Sequence, residues 1–136
     1  MMVRTIHLIV AIAFVAGVVV QVFLAGLGVF DDPATFTLHA SWGYLLELVV
    51  LAMLILAAIG RLGRRQILYA AALLGMFMLQ SVFVVVRESY PAVAALHPLN
   101  GFAILLLGIV VVRDAWAMRG RERATQATQA GVPAVE

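Results

Sequence analysis

The chain has no cysteine and no lysine, only four prolines, and charged side chains at just 12% of its 136 positions. Without cysteine there are no disulfides, thiolate metal sites, iron–sulfur clusters or covalent c-type haem attachment. The scarcity of charge stands beside 65% hydrophobic residues and a mean hydropathy of +1.09. A water-soluble domain of this size has no interior large enough to hide so much apolar side chain. Soluble enzymes, nucleic-acid-binding modules and secreted scaffolds are thereby excluded, and no nucleic-acid partner is expected.

What the chain has instead is long apolar runs, at about residues 6–29, 38–59, 67–86 and 93–112. Each is close to the ~20 residues that carry an α-helix across a hydrocarbon core of about 30 Å. The connectors, residues 30–37, 60–66 and 87–92, are too short for anything but antiparallel neighbours. The expected fold is therefore all-α: a polytopic membrane protein whose residues 1–118 form an antiparallel four-helix transmembrane bundle of two tandem hairpins. A signal peptide is a poor reading of the first run, which is too long and has no small-x-small cleavage site before Asp31. From Arg119 the sequence becomes RGRERATQATQAGVPAVE, with few large apolar groups, and 119–136 is expected to be a disordered cytoplasmic tail.

Arginine sets the expected orientation. Arg4, Arg61, Arg64, Arg65, Arg113, Arg119, Arg121 and Arg123 fall on one side of the bundle and Arg87 alone on the other. The positive-inside rule then puts both termini in the cytoplasm, with the bacterial cytoplasmic (inner) membrane as the expected location. Trp42, Tyr44 and Tyr90 near one set of helix ends, and Tyr69 and Trp116 near the other, are placed for the headgroup level.

The two hairpins repeat one another. Gln21 is followed by His39, Gly43 and Tyr44; Gln80 is followed by His97, Gly101 and Phe102. Between Gln and His each half has a short acidic connector with a proline, Asp31-Asp32-Pro33 in one and Glu88 through Pro91 in the other. Five matching features in the same order imply a duplicated hairpin. The first and third helices cross in the same direction, so the halves are related by a pseudo-twofold axis along the membrane normal. His39 and His97 then lie at equal depth on diagonal helices. Glycine four residues later sits on nearly the same helical face and thins the wall there. Gly17, Gln21, Leu24 and Gly28 form one stripe on the first helix, and His97, Gly101 and Gly108 another on the last.

Two neutral imidazoles and thin helix walls are what a b-type haem requires, so His39 and His97 are the expected axial ligands. Two histidines on one iron leave no open position, which favours electron transfer over oxygen activation. The competing expectation is a non-redox membrane protein whose polar residues fix helix pairing or line a small-solute path. His7, far from the pair, is expected to snorkel or bond at the interface. Met76 and Met78 are expected to pack rather than ligate.

Residues 79–97, LQSVFVVVRESYPAVAALH, followed by a long apolar helix, resemble the Gln-to-His hairpin of the haem A synthase family, whose four-helix halves hold haem between histidines. The resemblance implies a haem-holding half-unit. It does not carry over the oxygenation chemistry: that family has eight helices, and its Glu-x-x-His pairing is not found around His39.

Other polar residues take supporting parts. Arg87 is placed either to clamp haem propionates or to pair with Glu88, Asp31 or Asp32. Gln21 and Gln80 are expected about two turns deeper than the histidines, bonding each other, a water or the cofactor edge. Glu47 has no twin, since the equivalent position is Leu105. At its depth it reads as a proton relay to a quinone headgroup or as an acid bonded to Gln21 or Gln80. Pro98 is expected to kink the helix at His97, with Asn100 satisfying the released backbone. The expected partners are the lipid bilayer, a quinone and a redox partner protein, with a homo-oligomer open.

Overall fold

A computed structural model describes residues 2–129, and these form four long helices and one helical turn. Helix α1 spans Met2–Phe30, α2 Thr35–Ile59, α3 Arg64–Val85, α4 Pro91–Ala94 and α5 Leu96–Gln129. The four long helices, the last taken together with α4, are long and apolar enough to cross a membrane. The chain is a multi-pass membrane protein with an all-α bundle, as the apolar runs predict.

Helix α1 packs on α2 and α5, and α3 packs on the same two, while the backbones of the diagonal pairs stay apart. This square arrangement leaves an axis where only side chains meet. The ring of Phe14 on α1 meets that of Phe77 on α3 with centroids 6.0 Å apart. Around them Leu73, Val50, Met53, Ile104 and Val111 complete a buried core. Burial follows the repeat: Ala11 and Ala70, Leu24 and Phe83, Leu46 and Ile104, Ala57 and Ala115 are buried in both halves at offsets of 58 or 59 residues. Most other large apolar side chains are exposed, Phe30, Leu48 and Leu106 among them. That is appropriate for helices whose solvent is hydrocarbon.

The connectors are as tight as their lengths imply. Asp32 closes the first by accepting the backbone N–H of Ala34 at 2.9 Å, an Asx-type turn. Between α2 and α3 the chain turns through Arg61 at φ 48° and Gly63 at φ 93°. Gly63 supplies left-handed backbone without a Cβ penalty.

Two expectations change. Pro98 lies in the first turn of α5, where its missing N–H is tolerated. The break falls earlier, at Ala95 between α4 and α5, because Pro98 has no N–H to bond the Ala94 carbonyl one turn back. Second, α5 remains helical through residues 119–129, part of the stretch assigned to a disordered tail. This segment is rich in helix-favouring Ala, Arg and Gln. It is also tied down, since Arg4 on α1 pairs with Glu122 at 3.4 Å and, about two turns earlier on α5, Asp114 pairs with Arg65 on α3 at 3.2 Å. Residues 130–136 of the expected tail lie outside the described residues.

Candidate functional site

His39 on α2 and His97 on α5 face each other across the axis, with ring centroids 6.2 Å apart and ring planes inclined at 53°. Both are half-buried. Each is held by the other helix of its own hairpin. His39 Nδ1–H donates to the backbone carbonyl of Gln21 at 3.0 Å, and His97 Nδ1–H donates to that of Gln80 at 3.4 Å. A ring that donates from Nδ1 while neutral keeps its lone pair on Nε2, the tautomer in which imidazole ligates a metal. The edge of the Phe36 ring stands against His39, centroids 6.3 Å apart.

The glutamines are at the level of the histidines, not two turns deeper, and they do not bond one another. The twentieth residue of α1 thereby lies beside the fifth of α2. Gln21 Nε2 lies 3.4 Å from His39 Nε2, and its Oε1 is buried without a partner among the described residues. Gln80 Oε1 instead accepts from Asn100 Nδ2 at 2.8 Å. The glycines do thin the wall, but glutamine side chains lie against them. A Cβ on Gly43 would meet Gln21 Nε2 at 3.0 Å, and one on Gly101 would meet Gln80 Nε2 at 3.7 Å.

Below this level is a second pair of matching bonds, between residues that sequence reasoning placed elsewhere. Trp42 Nε1–H donates to the carbonyl of Gly17 at 2.9 Å, and Asn100 Nδ2 donates to the carbonyl of Met76 at 2.9 Å. Trp42 and Asn100 are twins at the His and Gly offset of 58, and Gly17 and Met76 are twins at the Gln offset of 59. Trp42 therefore staples α1 to α2. Asn100 bonds α3 and not the carbonyl freed by Pro98. The sequence signal for both is the offset alone, since the paired side chains are unlike.

At the arginine-rich end His7 is fully buried and donates from Nε2 to Gln66 Oε1 at 3.0 Å. Its Nδ1 is buried with no hydrogen-bond partner among the described residues. It does not snorkel, because it faces the axis and Gln66 is its twin, 59 residues on. Gln66 Nε2 is left buried and unpartnered among the described residues.

Two expected site residues stay apart from the histidines. Arg87 pairs with Glu88 at 3.6 Å and caps the Val84 carbonyl at 3.2 Å, at an exposed helix end. Its local acid neighbour outcompetes the interior. Glu47 lines a groove between α2 and α3 together with Tyr44, Leu48, Leu51, Leu74 and Met78. It bonds neither Gln21 nor Gln80, whose amides are turned to His39 and Asn100. Among the described residues no group of three or more His, Cys, Asp or Glu converges on one point, so the histidine pair offers two ligating nitrogens.

Residues 21–86, from the glutamine of the first hairpin to the end of α3, match a family of unknown function (DUF6220). No curated protein and no solved structure matches the chain.

Proposed function

We propose that the protein is a small b-type cytochrome of the bacterial cytoplasmic membrane, both termini cytoplasmic, holding one haem b between His39 and His97 and passing electrons from a membrane quinol to a partner protein. One observation carries this reading: two imidazoles at equal depth, 6.2 Å between centroids, each with Nδ1–H committed to a backbone carbonyl. Two metal–nitrogen bonds of about 2 Å each, plus about 1 Å from each nitrogen to its ring centre, amount to a similar span. The buried, unpartnered Gln21 Oε1 marks the same spot as wanting a polar group.

When bound, the haem supplies a one-electron iron couple. The residues of this chain hold it. The carbonyls of Gln21 and Gln80 fix the tautomer of each ligand, a role that in metal sites sets both ring orientation and basicity. The Gln21 amide has to swing away from His39 Nε2 for that nitrogen to ligate. Gly43 and Gly101 keep the flanking backbone free of Cβ atoms. The likeness of residues 79–97 to a haem A synthase hairpin agrees with this use of His97.

A second reading, a non-redox bundle, is favoured by the Trp42 and Asn100 bonds, which staple helices by the same side-chain-to-carbonyl device with no cofactor involved. The two readings separate on colour. Protein produced with haem supplied and purified in detergent is expected to show a Soret band and sharp α and β bands on reduction, abolished or converted in both His39→Ala and His97→Ala. A colourless, folded protein would leave the stapled bundle as the answer.

A further inference from the structure

We propose that the groove between α2 and α3 binds the headgroup of a membrane quinone, with the Glu47 carboxyl group and the Tyr44 hydroxyl as its hydrogen-bonding groups. Glu47 is the thirteenth of the 25 residues of α2, so it lies at the middle of a membrane-crossing helix. It is half-buried at the wall of a cavity of about 430 Å³ whose other lining residues are Tyr44, Leu48, Leu51, Leu74 and Met78. Tyr44, Leu48 and Met78 are more than 60% exposed on the outer face of the bundle, so the groove opens toward hydrocarbon.

Its occupant must therefore arrive through the lipid, and it must carry polar atoms, because an acid facing hydrocarbon without a partner is costly. No side chain supplies that partner among the described residues: Gln21 and Gln80 are engaged elsewhere, and the nearest cations lie at the helix ends. Tyr44, one helical turn away from Glu47 on the same face, adds a second group that both donates and accepts. An acid and a phenol above a strip of leucine and methionine match a ring with oxygen substituents and an apolar tail. The groove is also where the repeat is broken. The twins of Tyr44 and Glu47 are Phe102 and Leu105, so the pseudo-twofold-related face between α5 and α1 has neither polar group. Helix packing alone gives no reason for that difference.

The site deepens the cytochrome reading and rests on it for its purpose, because Glu47 lies eight residues, about 12 Å along α2, from His39. Binding itself is measurable without haem. Full-length protein in lipid nanodiscs is treated with dicyclohexylcarbodiimide, and adduct formation at Glu47 is followed by mass spectrometry with decylubiquinone, a short-chain menaquinone analogue or decanol present. The expected result is labelling of Glu47 that slows at least fivefold with a quinone and is unchanged by decanol. Equilibrium binding of the same quinones is expected to weaken about tenfold in Glu47→Leu and less in Tyr44→Phe, with any haem spectrum unaltered in both. Equal protection by decanol, quinone binding undiminished in Glu47→Leu, absence of any labelling, or labelling that rises only when the protein is diluted in lipid would each overturn the proposal. The last of these would assign the groove to a second copy of the chain. Loss of pigment with quinone protection intact would instead sink the cytochrome reading and leave the groove standing.

Discussion

Trp42 in the first hairpin and Asn100 in the second stand at the same place in the fold and form the same bond to a backbone carbonyl on the other helix of their own hairpin, that of Gly17 in one case and Met76 in the other. His39 and His97 also share one place and one bond, but there the residue is the same in both hairpins. The contrast separates two demands on a duplicated fold. A staple needs only an N–H at the right point, which an indole or an amide supplies equally well. A pair of ligands to one metal needs two lone pairs of the same kind at the same depth. On the proposed cytochrome reading, the halves have diverged where the demand is geometric and stayed alike where it is chemical.

The largest effect expected from breaking the comparison is at the identical pair. Removing either imidazole should abolish or convert the reduced absorbance bands, and His39→Ala and His97→Ala should be alike. A variant that keeps the parent spectrum would show that its ring is not a ligand.

The unlike pair at the arginine-rich end comes next. His7→Leu strands the buried Gln66 amide, a loss of about 1–3 kcal/mol, and His7→Leu combined with Gln66→Leu should recover most of it. Reversible unfolding in detergent checks this, and a double variant as unstable as the sum of the singles would mean the two side chains are not partners.

Smaller shifts are expected at the staples. Trp42→Phe removes one interhelical bond, worth about 0.6–1.7 kcal/mol in a membrane. Asn100→Leu should cost more, because Asn100 donates to both Met76 O and Gln80 Oε1. The reverse order of midpoint shifts would contradict the bonding.

The smallest and opposite effects are at glycines. Nothing lies within 4 Å of a Cβ placed on Gly75, whose twin is Ala16. Gly75→Ala should therefore stabilise the helix by about 0.5–1 kcal/mol. Gly17→Ala puts a methyl group 2.5 Å from Leu46 Cδ2 and should destabilise, by about 1–3 kcal/mol if Leu46 cannot move. Melting temperatures that move together would refute the packing difference.

Reading the site from sequence succeeded where identity repeats and failed where only position does. The His39 and His97 pairing was legible because the same residues recur with the same neighbours. The depth of Gln21 and Gln80 was not legible, because residue spacing along the chain does not fix the register in which two helices pack. For His7 the expectation of snorkelling or hydrogen bonding resolves to a buried bond, and its partner, Gln66, was not legible although the offset of 59 was present. Arg87 was legible only as a choice between two partners, and the nearby Glu88 decided it.

By itself the amino-acid order determined that this chain enters lipid, how many of its helices are long enough to cross, and that its two hairpins carry the same polar pattern. Those properties follow from apolar run length and from local residue spacing, which need no knowledge of neighbours. The tertiary structure decided which buried polar atoms meet: tautomer-fixing carbonyls for the histidines, Gln66 for His7, and a lipid-facing groove for Glu47. A hydrogen bond between helices depends on their crossing angle and rotation, and these are set by the packing of all four helices together.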